Sequence, residues 1–302
     1  MKVDDKSQCT DLRPRVVAIG TFDGVHRGHR SVLKVLKDYS AEFDMEPLVI
    51  TFRKHPLATI EPARTPVELT PLNKKEKLLK ETGVNLLVLD FDEEMRSTTA
   101  AQWMQHLYEN LNVRALVIGY DNTFGCDGIN YSLEDYKIMG EGLGIKVLTA
   151  EEVREVSSSS IRKAVVGGDV EKAHEMLGRP YSISGIVTEG NRLGHTIGFP
   201  TANLLPEAGV ALPKAGVYSA FVKVLEDGSK YPSMVNIGTR PTIMRGDANV
   251  IEAHLIDWKG DLYSKEISIQ FLHRMRDEKK FESIEALREQ LAKDREQIRK
   301  TL

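Results

Sequence analysis

Four short runs in the first half of the chain carry almost no polar side chains: Val16-Val17-Ala18-Ile19, Leu48-Val49-Ile50-Thr51-Phe52, Leu86-Leu87-Val88-Leu89 and Ala115-Leu116-Val117-Ile118. A strand with one face in water alternates polar and apolar residues. A strand without a polar face must be covered on both sides, which is the situation of a parallel sheet between helices. The segments between the runs have the helical period: His29 to Tyr39 (Val32, Leu33, Val35, Leu36), Lys74 to Glu81, Thr99 to Leu111 and Leu133 to Leu143. Ile145-Lys146-Val147-Leu148 reads as a last strand. The pattern predicts a doubly wound α/β sheet whose ligand sits at the C-terminal ends of its strands.

The period changes after Tyr181. Ser182 to Val187, Val217 to Val224, Ile251 to Ile256 and Ile267 to Phe271 alternate, with turn signals at Asp227-Gly228 and Lys259-Gly260-Asp261. Short strands at this spacing predict a small antiparallel β-barrel. Between the two regimes, Ser160 to Leu177 reads as two short helices broken at Gly167-Gly168, with Asp169 as a cap. Ser283 to Arg299 reads as a C-terminal amphipathic helix with Ile284, Leu287, Leu291 and Ile298 near one face and Ser283 as N-cap. A length of 302 residues accommodates both folds, so the expected domains are 1–180 and 181–302.

The formal net charge is −3, which supplies no basic field for nucleic acid or an anionic membrane. Cys9 and Cys126 belong to no CxxC pattern and read as free thiols. The polar N-terminus lacks the apolar core of a secretory signal, and no stretch has the roughly 20 apolar residues of a membrane span. A cytoplasmic location is expected. The sequence gives no oligomeric state.

Gly20-Thr21-Phe22-Asp23-Gly24-Val25-His26-Arg27-Gly28-His29 follows the first strand and opens the first helix. Gly20, Gly24 and Gly28 let the backbone approach phosphates, and the positive end of a helix attracts them. His26 and His29 are three apart and share a face of the first turn. Each can donate to the α-phosphate of a nucleoside triphosphate and stabilise the charge that develops as pyrophosphate leaves. No third ligand stands near them at a spacing that suits zinc. After the last strand, Ser157-Ser158-Ser159-Ser160-Ile161-Arg162 offers hydroxyls at a helix start and an arginine for the β- and γ-phosphates; the alternative is a polar linker.

In the second half, Gly190 to Leu204 reads GNRLGHTIGFPTANL. Gly194 and Gly198 can bring backbone N–H groups against phosphates. Thr201 and Asn203 supply neutral oxygens that suit Mg²⁺ together with phosphate oxygens. By itself the pattern fits equally an ordinary glycine/proline loop leading into a strand.

The first loop resembles the nucleotidylyltransferase superfamily with the HxGH signature, and more closely the FAD synthetase half of bacterial bifunctional riboflavin kinase/FAD synthetases. The PTAN segment at Pro200 to Asn203 resembles the riboflavin kinase half of that family. Ser159, Ser160, His195 and Ile197 stand where the family more often has other residues. The resemblance implies an ATP-dependent phosphorylation of riboflavin to FMN in the second domain and adenylylation of FMN to FAD in the first. It implies that Gly20, Phe22, Asp23, Gly24, Gly28, Ser157, Ser158, Ser159 and Arg162 bind ATP in the first domain, as Gly194, Gly198, Thr201 and Asn203 do in the second. It implies that Phe52 and His55 (from Thr51 to Pro56) and Asp121 and Phe124 (from Gly119 to Gly125) line a flavin pocket. In the second domain it implies Glu252 as the base for the riboflavin 5′-hydroxyl, and Arg276 and Glu278 (followed by Phe281) around the flavin ring. A second family feature is Asn236 to Thr242. The implied partners are riboflavin, FMN, FAD and ATP, with Mg²⁺ as cofactor. The rival readings are a riboflavin kinase with a weak or inactive adenylyltransferase half, and a flavin sensor without turnover.

Overall fold

The structure, a computed structural model, describes residues 13–120, 123–189, 193–240 and 248–302. Its contacts divide the chain into two compact units between Ser157 and Ser158. The division precedes residue 180 because the helices of the 158–177 segment pack with the second unit, the later of them against its last strand.

The first unit contains β1 (Arg15–Ile19), α1 (Arg27–Glu42), β2 (Glu46–Phe52), α2 (Leu57–Ile60), α3 (Leu72–Lys80), β3 (Asn85–Leu89), α4 (Glu93–Ser97), α5 (Ala100–Leu111), β4 (Val113–Ile118), α6 (Leu133–Leu143) and β5 (Lys146–Thr149). The strands form a parallel sheet in the order β3-β2-β1-β4-β5. The absence of a polar face on β1 is explained by what covers it. Val17 and Ile19 enter a core with Trp103, Met104 and Leu107 of α5. Val16 and Ala18 enter a second core with Leu33 and Leu36 of α1 and Leu79 of α3. Helices thus lie on both faces, as the period predicts. Thr99 caps α5 through a capping box with Gln102.

The second unit contains α7 (Ser158–Gly167), α8 (Val170–Leu177), β6 (Ser182–Thr188), α9 (Leu193–Thr196), β7 (Ala202–Pro206), β8 (Gly216–Val224), β9 (Lys230–Arg240), β10 (Ala248–Leu255), β11 (Glu266–Arg276) and α10 (Ile284–Thr301). Six strands close an antiparallel barrel in the order β10-β7-β6-β11-β8-β9. Asp169 caps α8 and Ser283 caps α10, as expected. Leu287, Leu291 and Ile298 of α10 pack on Phe199, Val217 and Met234 outside the barrel. Ile284 does not join them: at the first helical position it stays exposed. No helix among the described residues is long and apolar enough to cross a membrane.

Candidate functional site

In the first unit β1 leads to α1 on one face of the sheet and β4 leads towards α6 on the other. The crevice between β1 and β4 is where such sheets take ligands. The loop after β1 is held in costly backbone: Phe22 has φ +48°, Gly24 +88° and Val25 +41°. Left-handed conformations cost about 1–3 kcal/mol each for residues other than glycine and cluster at ligand sites. Val25 is β-branched, which makes its conformation the most demanding of the three. The turn is closed by Val25 N–H donating to Phe22 O at 3.1 Å.

His26 caps α1, its Nδ1 accepting from the His29 N–H at 3.2 Å. With Nδ1 accepting, Nε2 carries the ring proton and is the donor atom. The two imidazoles stack, their centroids 3.6 Å apart, and Phe22 lies 5.0 Å from His29. The structure therefore brings the two histidines together at one helix N-terminus. Asp23 is 6% exposed and its carboxylate accepts from the backbone N–H groups of Leu69 (2.9 and 3.1 Å) and Thr70 (3.0 Å). It ties the loop to the segment before α3. Lys75 of α3 does the same from another side, donating to Thr21 O (3.1 Å) and Phe52 O (3.0 Å). Burial lowers the Lys75 pKa, while Glu68, Asp23 and Glu76 act to raise it.

A cavity of about 320 Å³ adjoins this loop and is lined by Gly20, Thr21, Phe52, Phe91, Trp103 and Phe124, among others. Its size and aromatic wall suit a planar heteroaromatic ligand. Phe52 meets Phe91 edge-on at 5.5 Å. The Tyr136 hydroxyl fixes Phe124 by its backbone, accepting from its N–H (3.0 Å) and donating to its carbonyl (2.7 Å). Gly125 has φ +89°, and a Cβ there would stand 2.3 Å from Ala100 N, so only glycine closes this wall. His55 is not among the lining residues; its Nδ1 accepts from Leu57 N–H at 3.1 Å at the start of α2. Asp121 lies outside the described residues. Ser157 ends the first unit, and Ser158, Ser159 and Arg162 belong to α7 in the second.

In the second unit, strand register assembles the site. Glu252 on β10 stands opposite Asn203 on β7 and Asn236 on β9. Asn236 stands opposite Val217 on β8, and Val217 opposite Arg276 on β11. Facing residues in an antiparallel ladder project from the same side, so Asn203, Glu252, Asn236, Val217 and Arg276 form one row around the barrel. Two irregularities in β11, between Phe271 and His273 and between Arg274 and Arg276, bring Arg276 into that row. All five residues line one cavity of about 400 Å³, together with Gly194, Thr201, Glu278, Phe281 and His254. Gly194 is required there, since a Cβ would meet Phe199 O at 2.2 Å. Gly198 is not among the lining residues; it has φ +80° beside Phe199.

Two residues that sequence reasoning did not select shape this cavity. Asp294 of α10, 3% exposed, accepts from Arg276 Nε (3.0 Å) and Nη2 (2.7 Å), and from Gln290 Nε2 (2.8 Å). His254 pairs its Nδ1 with Pro200 O at 2.8 Å and so holds the peptide that enters Thr201. Burial lowers its pKa, with the Pro200 hydrogen bond acting against that and Arg295 with it. With Pro200 O as acceptor, Nδ1 carries the proton. Thr201 also borders a second cavity of about 390 Å³, lined by Pro200, Ala202, Ala253, Trp258 and Leu262. Thr201 and Asn203 present neutral oxygen donors, and no cluster of three His, Cys, Asp or Glu side chains is found among the described residues. That donor set fits Mg²⁺, which takes few protein ligands, rather than zinc.

Comparison with known proteins gives concordant results. Residues 8–164 match the FAD synthetase family model and residues 177–302 the riboflavin kinase family model. The chain is 36% identical over 293 residues to a bifunctional riboflavin kinase/FMN adenylyltransferase of Bacillus subtilis (strain 168), covering 93% of this chain and 90% of that one. It is 36% identical over 286 residues to the protein of that name from Escherichia coli (strain K12), covering 92% and 90%. Among solved structures, it resembles a Streptococcus pneumoniae protein described as a macrolide-efflux protein, with a TM-score of 0.88 and 31% identity over 97% of this chain and 96% of that one.

Proposed function

We propose a division of roles among the residues of a chain that belongs to the bifunctional riboflavin kinase/FMN adenylyltransferase family. The chain phosphorylates riboflavin to FMN and adenylylates FMN to FAD; both family regions are present, which favours this over a kinase alone. The functional boundary is put near residue 180.

In the kinase, the cavity of the barrel row takes riboflavin, with Arg276 and Glu278 beside the ring. The cavity across Thr201 takes the nucleoside of ATP. Glu252 accepts the proton of the 5′-hydroxyl as its oxygen attacks the γ-phosphorus and ADP leaves. Thr201 and Asn203 would hold Mg²⁺, which when bound would neutralise charge on the transferred phosphoryl group. In the adenylyltransferase, the aromatic cavity takes the FMN ring. A phosphate oxygen of FMN attacks the α-phosphorus of ATP and pyrophosphate leaves. His26, through Nε2–H, and His29 donate to the phosphate oxygens that gain charge. The use of ATP in both steps argues for a cytoplasmic enzyme. Efflux, named for the structural relative, finds no support in a chain whose described helices include none able to span a membrane.

The observation that carries the kinase assignment is the row Asn203–Glu252–Asn236–Val217–Arg276 facing a single cavity. Purified protein incubated with riboflavin, ATP and Mg²⁺ is expected to yield FMN first and FAD after it on chromatography. FMN without FAD would refute the adenylyltransferase roles, and flavin retained unchanged would refute both sets.

A further inference from the structure

We infer that Lys75 is a positioning residue for FAD formation, its ammonium clamping the nucleotide loop to the wall of the flavin cavity. The inference rests on the assignment of the Gly20–His29 loop to ATP and of the adjoining cavity to FMN.

The need for a clamp arises from the sheet itself. The last backbone bond between the β1 and β2 chains is Gly20 N–H to Ile50 O, at 3.1 Å. Past it the first chain turns into the left-handed loop, and the Arg53 N–H is already bonded to Leu89 O on the far side. The ladder no longer joins the two chains where both meet the cavity, at Thr21 and Phe52. Two side chains supply the missing tie. The Thr51 hydroxyl donates to Thr21 O at 3.1 Å. The Lys75 ammonium reaches Thr21 O and Phe52 O at once, at 3.1 and 3.0 Å.

A lysine in the first turn of a helix ordinarily keeps its charge in water. Lys75 is 7% exposed, and its burial carries a desolvation cost that depresses its pKa. Asp23, Glu68 and Glu76 supply the opposing charge. An apolar side chain would have filled the gap without that cost but could donate to neither carbonyl. The ammonium therefore fixes the separation of Thr21 from Phe52, and with it the distance from the strained loop and its histidines to the ring-binding wall. Transfer between two bound phosphates depends steeply on such a distance.

The test is steady-state adenylylation of added FMN by the full chain, with active sites counted by FMN titration and riboflavin phosphorylation measured in the same preparation. Lys75→Met is expected to lower the kcat for FAD formation roughly 10- to 100-fold, with smaller changes in the KM for ATP and FMN and no change in riboflavin phosphorylation. A residue that only supported folding would lower the number of active sites and leave kcat per site unchanged, which would overturn the inference. Lys75→Arg keeps charge and stem and serves if the methionine variant does not fold. Its planar fork does not reproduce the two-carbonyl geometry, so a several-fold drop in kcat is expected, and wild-type kcat would overturn the inference. His29→Ala separates this from the underlying assignment. Loss of FAD formation in His29→Ala with wild-type kcat in both Lys75 variants refutes the clamp alone. Wild-type activity in all three refutes the assignment of the loop as well.

Discussion

In the first unit the histidines sit on a loop that leaves the sheet and bends through two non-glycine left-handed residues, Phe22 and Val25. In the second unit Glu252 sits in mid-strand, flanked in register by Asn203 and Asn236. The loop needs external ties, and Asp23 and Lys75 supply them through contacts with backbone groups of Leu69, Thr70, Thr21 and Phe52. The row is spaced by the ladder that closes the barrel, and its external tie is made at one end, by Asp294 on Arg276. Placement by loop therefore rests on buried charges for the position of the backbone itself, whereas placement by register comes with the fold and uses a buried charge only to hold the Arg276 side chain.

This contrast can be broken most severely at the two side chains proposed to serve the transferred phosphates. Glu252→Gln is expected to lower riboflavin phosphorylation by about 10²–10⁴-fold, and His29→Ala to lower adenylylation of FMN by about 10²–10³-fold. Each variant should leave the other reaction intact when assayed with its own flavin substrate. Next in size is Asp294→Asn, which leaves the half-buried Arg276 guanidinium without its counter-charge. Breaking such a pair costs about 3 kcal/mol, read as a lowered denaturation midpoint of the second unit with a raised KM for riboflavin. Tyr136→Phe removes the hydroxyl that holds both backbone groups of Phe124. It should cost about 1–3 kcal/mol and raise the KM for FMN without touching riboflavin phosphorylation. The smallest effect concerns pH. Burial depresses the His254 pKa, so the fold favours its neutral form. The unfolded chain binds a proton as pH falls through the ordinary value of about 6.5, so stability present above that value is lost as pH falls from it toward the folded pKa. Thermal melting of the second unit should show that loss as the pH is lowered, and His254→Gln should flatten it.

Much of this organisation is legible in the sequence for physical reasons. The unbroken apolar runs specify a doubly covered sheet, and the caps at Thr99, Asp169 and Ser283 mark helix starts. Strand β9 was not legible: it contains Pro232 and Gly238, which weaken a strand reading, yet its pairing with β8 and β10 holds it. The histidines and the PTAN segment announce themselves by their neighbours. Lys75 and Asp294 do not, since each sits in a charged helical stretch where a solvated side chain is the ordinary outcome. Their burial depends on which way the helix faces, and that is settled by packing. Trp103 and Phe91 belong to no motif, and only the cavity distinguishes them.

The unbroken row around the barrel also limits how this half can change in length. Deleting or inserting one residue within β7, β8, β9 or β10 turns every later side chain of that strand to the opposite face. The barrel could still close, with Asn203, Asn236 or Glu252 directed away from the cavity. Gains and losses of residues among functional descendants should therefore collect at connections such as Asp227-Gly228, where a tight turn joins β8 to β9, while strand lengths stay constant.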